Sequence, residues 1–285
     1  MITYQPDAAI TLPSIIKDMP NEVYHAHESI SKSGLDLILR SPAHYRFRER
    51  SEPTRAMHLG TAAHTAILEP ARFTNEYVLL KEVKDRRASE YKQAVETHGA
   101  ERVLVAGEAD AVVGMQESVL SNKLVMSWLC HGGQAELSVF ALDPETGVTV
   151  RIRPDFLTPG GSILDLKTTT DARPDAFSKS ILNYNYHMQA AFYMDVYKWA
   201  TGESADSFRF IAVEKDLPHA TMMYRLDDTA LSEGRKLYRQ ALNTYADCLE
   251  RDEWQDYDCG VDEVIGLPDW EIRRIENELE VSLGE

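Results

Sequence analysis

The sequence has 285 residues, enough for one large domain or two small ones, and its 46 acidic and 30 basic side chains give a formal net charge of −16. Its three cysteines are scattered without a CxxC pair, which excludes a four-thiolate iron–sulfur cluster and argues against a disulfide framework. No apolar run approaches the roughly 18 residues of a membrane span, and the N-terminus lacks the pattern of a secretory signal, so we expect a cytoplasmic protein with no membrane partner.

The first half of the chain is predicted to be mainly helical after a poorly structured lead-in over residues 1–20. Ser31 or Ser33 can cap a short helix that ends at Ser41-Pro42. A second helix, basic and aromatic, follows directly. Further helices are predicted near 55–69, 87–98 and 108–129.

The second half begins with three runs of alternating character, which predict a meander of three strands. A long helix that ends at Gly202 comes next, followed by two strands and a closing helix. The predicted strands cover 134–143, 148–158, 162–169, 207–215 and 219–227, and the predicted helices cover 176–202 and about 228–250. This order predicts an α/β (α+β) fold with a central mixed sheet flanked by helices. We expect one domain over 21–250 and an acidic C-terminal extension over 251–285.

One predicted hairpin carries charged residues where a sheet prefers apolar ones. Asp165 and Lys167 lie two apart on a strand and share a face, and a turn at Pro159-Gly160-Gly161 can bring Asp155 level with Asp165. Two neighbouring carboxylates repel unless a cation lies between them. Mg²⁺ binds through one or two carboxylates in this way. The hairpin alone also allows a solvated strand face with a simple ion pair.

Other polar residues lie where they can reach the same face. Glu136 is on the first strand of the meander, and Gln189 and Tyr193 are four apart on the long helix and therefore share a side. His64 follows Gly60 by one turn on a helix face that is otherwise small and apolar. Each of these residues also allows a simpler interpretation. Glu136 could be an exposed strand residue, Gln189 and Tyr193 could be polar groups on a helix surface, and His64 could be a buried histidine with one hydrogen bond.

Taken in order, these residues resemble the RecB-type branch of the PD-(D/E)XK nucleases. The matching pieces are Gly60-x-x-x-His64, Glu136, Arg153-Pro154-Asp155, Asp165-Leu166-Lys167 and Gln189-x-x-x-Tyr193. Within that branch, "SISKSGLDLILRSPAHY", "HLGTAAHTAILEP" and the stretch after "ILDLKTTT" are most similar to the RecE (exonuclease VIII) nuclease domain. The resemblance covers roughly residues 20 to 250 and implies a restriction-endonuclease-like core.

The resemblance implies a Mg²⁺-dependent exonuclease, with Mn²⁺ able to substitute. Such an enzyme degrades one strand of linear duplex DNA from its 5′ end and leaves a 3′ tail for a single-strand annealing protein, as in phage-type recombination. By position, the metal ligands are His64, Asp155, Asp165 and the Leu166 backbone carbonyl, with Glu136 at the acidic position of the family. Lys167 acts on the nucleophilic water, and Gln189 and Tyr193 position the lysine or the DNA backbone.

Basic residues are clustered, so a local basic channel is compatible with the negative total charge. The clusters lie at 44–50, 81–87 and 151–153, and we expect Arg151 and Arg153 to contact DNA. RecE-like domains form rings around DNA, so the resemblance also implies a homo-oligomer, for example a tetramer, with basic residues lining its lumen. The host would be a bacterial or phage-infected cell.

The sequence departs from its relatives in several respects. It lacks the four-cysteine cluster of many RecB-type nucleases, a GxxxxGK[ST] helicase motif and the long N-terminal region of RecE, and position 165 is Asp where many relatives have Glu. Two alternatives to an exonuclease stay open: an endonuclease or repair nuclease of the same fold, and a non-catalytic DNA-end-binding recombination protein. The complete set of His64, Asp155, Asp165 and Lys167 argues against the second, because a scaffold has no need for mutually repelling acids.

Overall fold

The computed structural model describes residues 1–6, 8–49, 52–257, 260 and 262–283. The chain divides into two units, Met1–Trp254 and Gln255–Glu285. The helices are α1 Asn21–Ala26, α2 Lys32–Arg40, α3 Pro42–Arg46, α4 Arg55–Leu68, α5 Pro70–Glu76, α6 Ser89–His98, α7 Ala106–Ser121, α8 Lys123–Leu129, α9 Pro174–Asn183, α10 Tyr186–Thr201, α11 Asp228–Arg251 and, in the second unit, α12 Asp269–Leu283. The strands are β1 Ile2–Thr3, β2 Ser14–Lys17, β3 Val78–Leu80, β4 Val103–Val105, β5 Gln134–Ala135, β6 Ser138–Leu142, β7 Thr149–Ile152, β8 Phe156–Leu157, β9 Ser162–Thr169, β10 Ser207–Glu214 and β11 Thr221–Tyr224.

Five strands in the order β11-β10-β9-β8-β5 form the sheet that carries the predicted hairpin. β9 runs parallel to β10 and antiparallel to β8, with Phe156 opposite Leu164, so the sheet is mixed as predicted. Because side chains alternate along a strand, β9 directs Leu164 and Leu166 to one face. Asp165 and Lys167 point to the other.

Helices cover both faces of this sheet and bury its apolar side chains. On one face, α4 and α7 pack on Leu166 and its neighbours, and Ala63 and Ala66 let the α4 backbone approach closely. On the opposite face, Phe177 of α9 and Ala190 of α10 join a second apolar cluster. The polar side chains of β9 therefore lie beneath α10, while α4 lies across the sheet from them.

A second sheet has the strand order β1-β2-β6-β7, and it contradicts the prediction of a poorly structured lead-in. β2 pairs antiparallel with β6, with Ile16 opposite Ser138, and Ile16 is buried. The apolar part of this strand spans two residues, which is too short to show a period in sequence. The segment is ordered by pairing with a distant strand.

The predicted three-strand meander is also wrong. β6 and β7 form a hairpin in the second sheet, whereas β5, β8 and β9 belong to the first. The chain crosses between the sheets at Glu136, which has φ +52°, and returns at Arg153-Pro154. Proline cannot donate to a strand ladder, so it suits the point where pairing stops.

The predicted helix over 176–202 is two helices with a sharp turn between them. Asn185 separates α9 from α10 in the left-handed region, with φ +51°, which asparagine tolerates better than most residues. Two contacts from α2 fix this turn. Lys32 Nζ donates to the Tyr184 carbonyl at 2.6 Å, and Asn185 Nδ2 donates to Asp36 Oδ1 at 3.1 Å.

The predicted helix over 108–129 is likewise divided, into α7 and α8. Asn122 stands between them, and its side-chain oxygen accepts from the first amides of α8. Cys130 and Cys248 are free thiols, as expected, and Cys259 lies outside the described residues. Within the described part of the chain, we find no helix with the length and apolar character to cross a bilayer.

Candidate active site

Three ligand-bearing side chains meet at the edge of the five-stranded sheet. The donor atoms of His64, Glu136 and Asp155 all lie within 4.8 Å of one another, and His64 Nδ1 is 3.3 Å from Asp155 Oδ2. His64 lies on α4, Glu136 lies in the crossover before β6, and Asp155 immediately precedes β8. The fold thus assembles residues that are far apart in sequence.

Backbone hydrogen bonds hold this cluster in place. Pairing between β8 and β9 ends at Phe156, and beyond it the Leu166 amide donates to Asp155 Oδ2 at 2.6 Å. The Glu136 amide donates to the Asp155 carbonyl at 3.2 Å. The side chain of Asp155 therefore takes the place of a strand partner, and the left-handed backbone of Glu136 turns its carboxylate toward the same point.

A second polar cluster adjoins the first on β9. Lys167 Nζ lies 2.6 Å from Asp165 Oδ1, Gln189 Nε2 donates to Asp165 Oδ2 at 2.6 Å, and Lys167 Nζ donates to Gln189 Oε1 at 3.1 Å. The three side chains close a triangle. Asp165 is only 2% exposed. Its Oδ2 accepts from Gln189, whereas its buried Oδ1 has the ion pair with Lys167 but no hydrogen bond.

The two clusters are joined through the backbone of Leu166. Its amide bonds Asp155, and its neighbours in sequence are Asp165 and Lys167. The predicted metal set is therefore only partly assembled: His64 and Asp155 lie together, Glu136 joins them, and Asp165 is held by Lys167 and Gln189.

Burial dominates the electrostatics of the acids. Burial, with the charge of Asp155, raises the pKa of Glu136 to about 7. Burial also raises the pKa of Asp165 to about 6, although Lys167 opposes the rise. Burial acts the same way on Asp155, but His64, Lys167 and the Leu166 amide together outweigh it, and the pKa of Asp155 is lowered. Simultaneous ionisation of Glu136, Asp155 and Asp165 is therefore unfavourable unless a further cation binds at the site.

The basic groups of the site remain protonated more readily than in water. Burial lowers the pKa of Lys167, but the attraction of Asp165 and Asp155 outweighs it, and the net shift is upward. The same balance, with Asp155 as the main partner, raises the pKa of His64. Lys167 is thus an ammonium at neutral pH.

The chemistry of the first cluster suits a divalent metal ion. Two carboxylates and an imidazole within reach of one point are ligands that Mg²⁺ and Mn²⁺ accept, and Mg²⁺ completes its shell with water. The surplus negative charge of the buried acids favours the same occupant. His64, Glu136 and Asp155 therefore fit a hard divalent cation.

Arg151 and Arg153, predicted to contact DNA, are instead bonded inside the protein. Arg151 is 7% exposed and donates to the carbonyls of His27 and Ser29. Arg153 donates to Ser138 Oγ at 2.6 Å and lies over the ring of Tyr24 at 4.1 Å. Both arginines attach the N-terminal segment to the second sheet. The Arg151 guanidinium is buried there, whereas Arg153 is half-buried and its contact with DNA stays a prediction.

The two helix residues of the predicted site differ in position. Gln189 bonds Asp165 and Lys167, as the prediction of a lysine-positioning residue requires. Tyr193 packs edge-on against Phe208, with ring centroids 6.1 Å apart. Burial raises the pKa of the Tyr193 hydroxyl well above the ordinary value.

Sequence reasoning missed Tyr186 and Lys32. Lys167 Nζ lies 4.6 Å from the centroid of the Tyr186 ring, a cation–π contact. Tyr186 precedes Gln189 by three residues and so shares its helix face, a signal that was available. Lys32 reaches the site from α2 by tertiary packing alone, so no local pattern marks it.

Comparison with family models identifies the chain. Residues 31–267 match the family described as "PDDEXK-like domain of unknown function (DUF3799)". The chain belongs to this family. The PDDEXK-like match covers α2 through the end of α11 and includes every residue of both clusters.

One solved structure has the same fold as this chain, and a second aligns less well. A "Putative exonuclease" from Eubacterium rectale is similar over 88% of this chain and 95% of its own, with a TM-score of 0.59 and 16% identity. A "phage related exonuclease" from Haemophilus somnus aligns over 80% of this chain and 98% of its own, with a TM-score of 0.35 and 12% identity. The first shows the same fold. Comparison with curated proteins gives no match.

Proposed function

We propose that this chain is a Mg²⁺-dependent exonuclease that degrades one strand of linear duplex DNA from the 5′ end and leaves a 3′ single-stranded tail. The observation that carries the proposal is the His64–Glu136–Asp155 cluster next to the Asp165–Lys167–Gln189 triangle. A metal-binding carboxylate set beside a buried ammonium is the apparatus that phosphodiester hydrolysis requires. The PDDEXK-like family and the exonuclease name of the similar structure support it.

Each residue has a role that follows from its contacts. His64, Glu136 and Asp155 would hold the metal, which when bound polarises the phosphate and activates the attacking water. Lys167 is protonated, so it stabilises negative charge that develops on the phosphate and does not act as a base. Gln189 accepts from Lys167 and thereby fixes the direction of its ammonium.

Asp165 has two roles in this proposal. It holds Lys167 in place through the 2.6 Å ion pair, and the family resemblance implies that it would also be a metal ligand, together with the Leu166 carbonyl. The pKa of about 6 keeps Asp165 ionised at neutral pH, so it is available as a ligand.

The same proposal covers how the protein binds DNA and how its subunits assemble. The chain carries a net charge of −16, so DNA must meet a local basic surface. A ring of subunits, for example a tetramer, would direct such surfaces to a lumen and leave the acidic ones outside. The 3′ tail would pass to a single-strand annealing protein.

One assay tests the activity. The protein is incubated with linear, nicked and closed circular duplex, with Mg²⁺, with Mn²⁺ or with EDTA. Metal-dependent loss of linear DNA alone supports the proposal. Cutting of closed circles points to an endonuclease, and retention of uncut DNA points to a binding protein. Label placed at the 5′ or the 3′ end reports the polarity, because a 5′ exonuclease releases 5′ label first.

The Asp165→Asn variant tests the assignment of the active site. It keeps the size of the side chain but removes the charge that pairs with Lys167, and we expect cleavage to fall at least a hundredfold. Robust cleavage by this variant would refute the site assignment.

A further inference from the structure

An exposed aromatic ring lies next to the triangle that contains Lys167. Tyr184 is 60% exposed, and its ring stacks on Tyr186 with centroids 5.5 Å apart and planes inclined by 29°. Tyr186 in turn lies under the Lys167 ammonium, 4.6 Å from ring centroid to Nζ. The centroid of the exposed Tyr184 ring therefore lies at most about 10 Å from Lys167 Nζ.

The backbone that carries this ring is fixed although the ring is open to solvent. Lys32 Nζ bonds the Tyr184 carbonyl at 2.6 Å, and the next residue, Asn185, bonds Asp36 at 3.1 Å. Lys32 and Asp36 also form an ion pair at 2.7 Å. These two contacts hold the backbone at Tyr184 and Asn185 in one conformation. A fixed backbone reduces the entropy cost of stacking a ligand on the Tyr184 ring.

The surroundings indicate the chemistry of a ligand. Two ammonium groups adjoin the stacked tyrosines: Lys32 Nζ bonds the Tyr184 carbonyl, and Lys167 Nζ lies over the Tyr186 ring. Each has one carboxylate partner, Asp36 or Asp165, and each can also attract a phosphate. The outer ring face is flat, aromatic and open. A nucleotide is a ligand that combines an anionic group with a planar aromatic ring, and bases stack on exposed aromatic side chains irrespective of sequence.

We propose that the Tyr184 ring is a platform on which the base next to the scissile phosphate stacks. This inference rests on the proposed function, because Lys167 marks the place of that phosphate. Since a stacked base must leave its neighbours, the platform selects the nucleotide at a DNA end, where the base pair opens most easily. Tyr184 thereby contributes to the preference for ends.

Fluorescence of a base analogue tests the platform directly. A linear duplex carries 2-aminopurine at the 5′-terminal position or at an internal position, and Ca²⁺ replaces Mg²⁺ to permit binding without cleavage. We expect wild type and Tyr184→Phe to quench the terminal analogue and leave the internal one unchanged. We expect Tyr184→Ala to lose the quenching and to bind DNA ends about fivefold more weakly, the change that about 1 kcal/mol of stacking produces.

Two controls keep the result specific. Leu249→Ala truncates another exposed apolar side chain, on α11, and should bind and quench like wild type. Thermal denaturation should give the wild-type midpoint for Tyr184→Phe and a midpoint within about 4 °C of it for Tyr184→Ala, because the alanine variant loses only the stack on Tyr186.

The outcomes separate this inference from the function on which it rests. If wild type degrades linear DNA but Tyr184→Ala quenches and binds like wild type, the platform is refuted and the nuclease stands. If wild type neither cleaves nor quenches, both are refuted. Quenching that depends on Tyr184 supports the platform even if the DNA stays uncut.

Discussion

The buried ion pair between Asp165 and Lys167 makes a prediction that can be tested without DNA. Replacement of Lys167 by Met keeps an apolar stem of similar length and removes the ammonium 2.6 Å from Asp165 Oδ1. Gln189 remains, but one amide cannot balance a buried carboxylate. Loss of one partner of a buried ion pair costs about 3–5 kcal/mol, so the free energy of unfolding should fall strongly at pH 8.

The size of the loss should depend on pH in a defined direction. Burial raises the pKa of Asp165 to about 6 against the opposition of Lys167, and removal of Lys167 raises it further. Because the folded pKa of this acid then exceeds the wild-type value, each pH unit above about 6 costs the variant up to about 1.4 kcal/mol relative to wild type. At pH 5, Asp165 is mostly protonated in both proteins, and the difference should be under about 1 kcal/mol.

Urea denaturation in EDTA at pH 5 and pH 8 measures this difference. The matched control is the double variant Asp165→Asn/Lys167→Met, which lacks both charges of this ion pair and should recover most of the stability at pH 8 while cleaving no DNA. An equal loss at both pH values, or a double variant as unstable as Lys167→Met, would contradict the reasoning.

Three further predictions follow from individual contacts. Glu136→Gln should weaken Mn²⁺ binding about tenfold and flatten its pH dependence below pH 7 in calorimetry, because the pKa of Glu136 is about 7 and metal binding requires its ionised form; an unchanged pH profile would exclude Glu136 as a ligand. Arg151→Gln should lower the free energy of unfolding by about 2 kcal/mol in urea denaturation, since two buried carbonyls lose their donor, and should leave DNA affinity unchanged; weaker DNA binding with normal stability would restore the predicted DNA contact. Asn185→Ala should lower the free energy of unfolding by about 1–2 kcal/mol through its left-handed backbone, and Asn185→Gly by less, because glycine adopts φ +51° without strain; an equal loss in both would refute the backbone explanation.

The arrangement on β9 could be predicted from sequence because strands follow simple arithmetic. A two-residue spacing put Asp165 and Lys167 on one face, and a Pro-Gly-Gly turn set the register that brings Asp155 alongside. The family pattern then drew attention to His64 and Gln189, which the structure places next to these residues.

Other features depend on contacts that no local pattern contains. Glu136 reaches the cluster because the chain changes sheets there with a left-handed backbone, whereas a continuous strand was predicted. Arg151 lies beside the motif in sequence, yet its strand directs it toward the N-terminal segment. The turn at Asn185 interrupts an otherwise uniform helical pattern, and its contacts with Lys32 and Asp36 on α2 explain why it forms there.

The central claim is that a divalent cation occupies the point between His64, Glu136 and Asp155. Diffraction from crystals grown with Mn²⁺, recorded at the manganese absorption edge, tests it most directly. We expect an anomalous peak about 2.1 Å from an Asp155 carboxylate oxygen, with His64 in the same coordination shell and Lys167 beside it. A peak elsewhere, or none at this site with saturating Mn²⁺, would contradict the metal assignment.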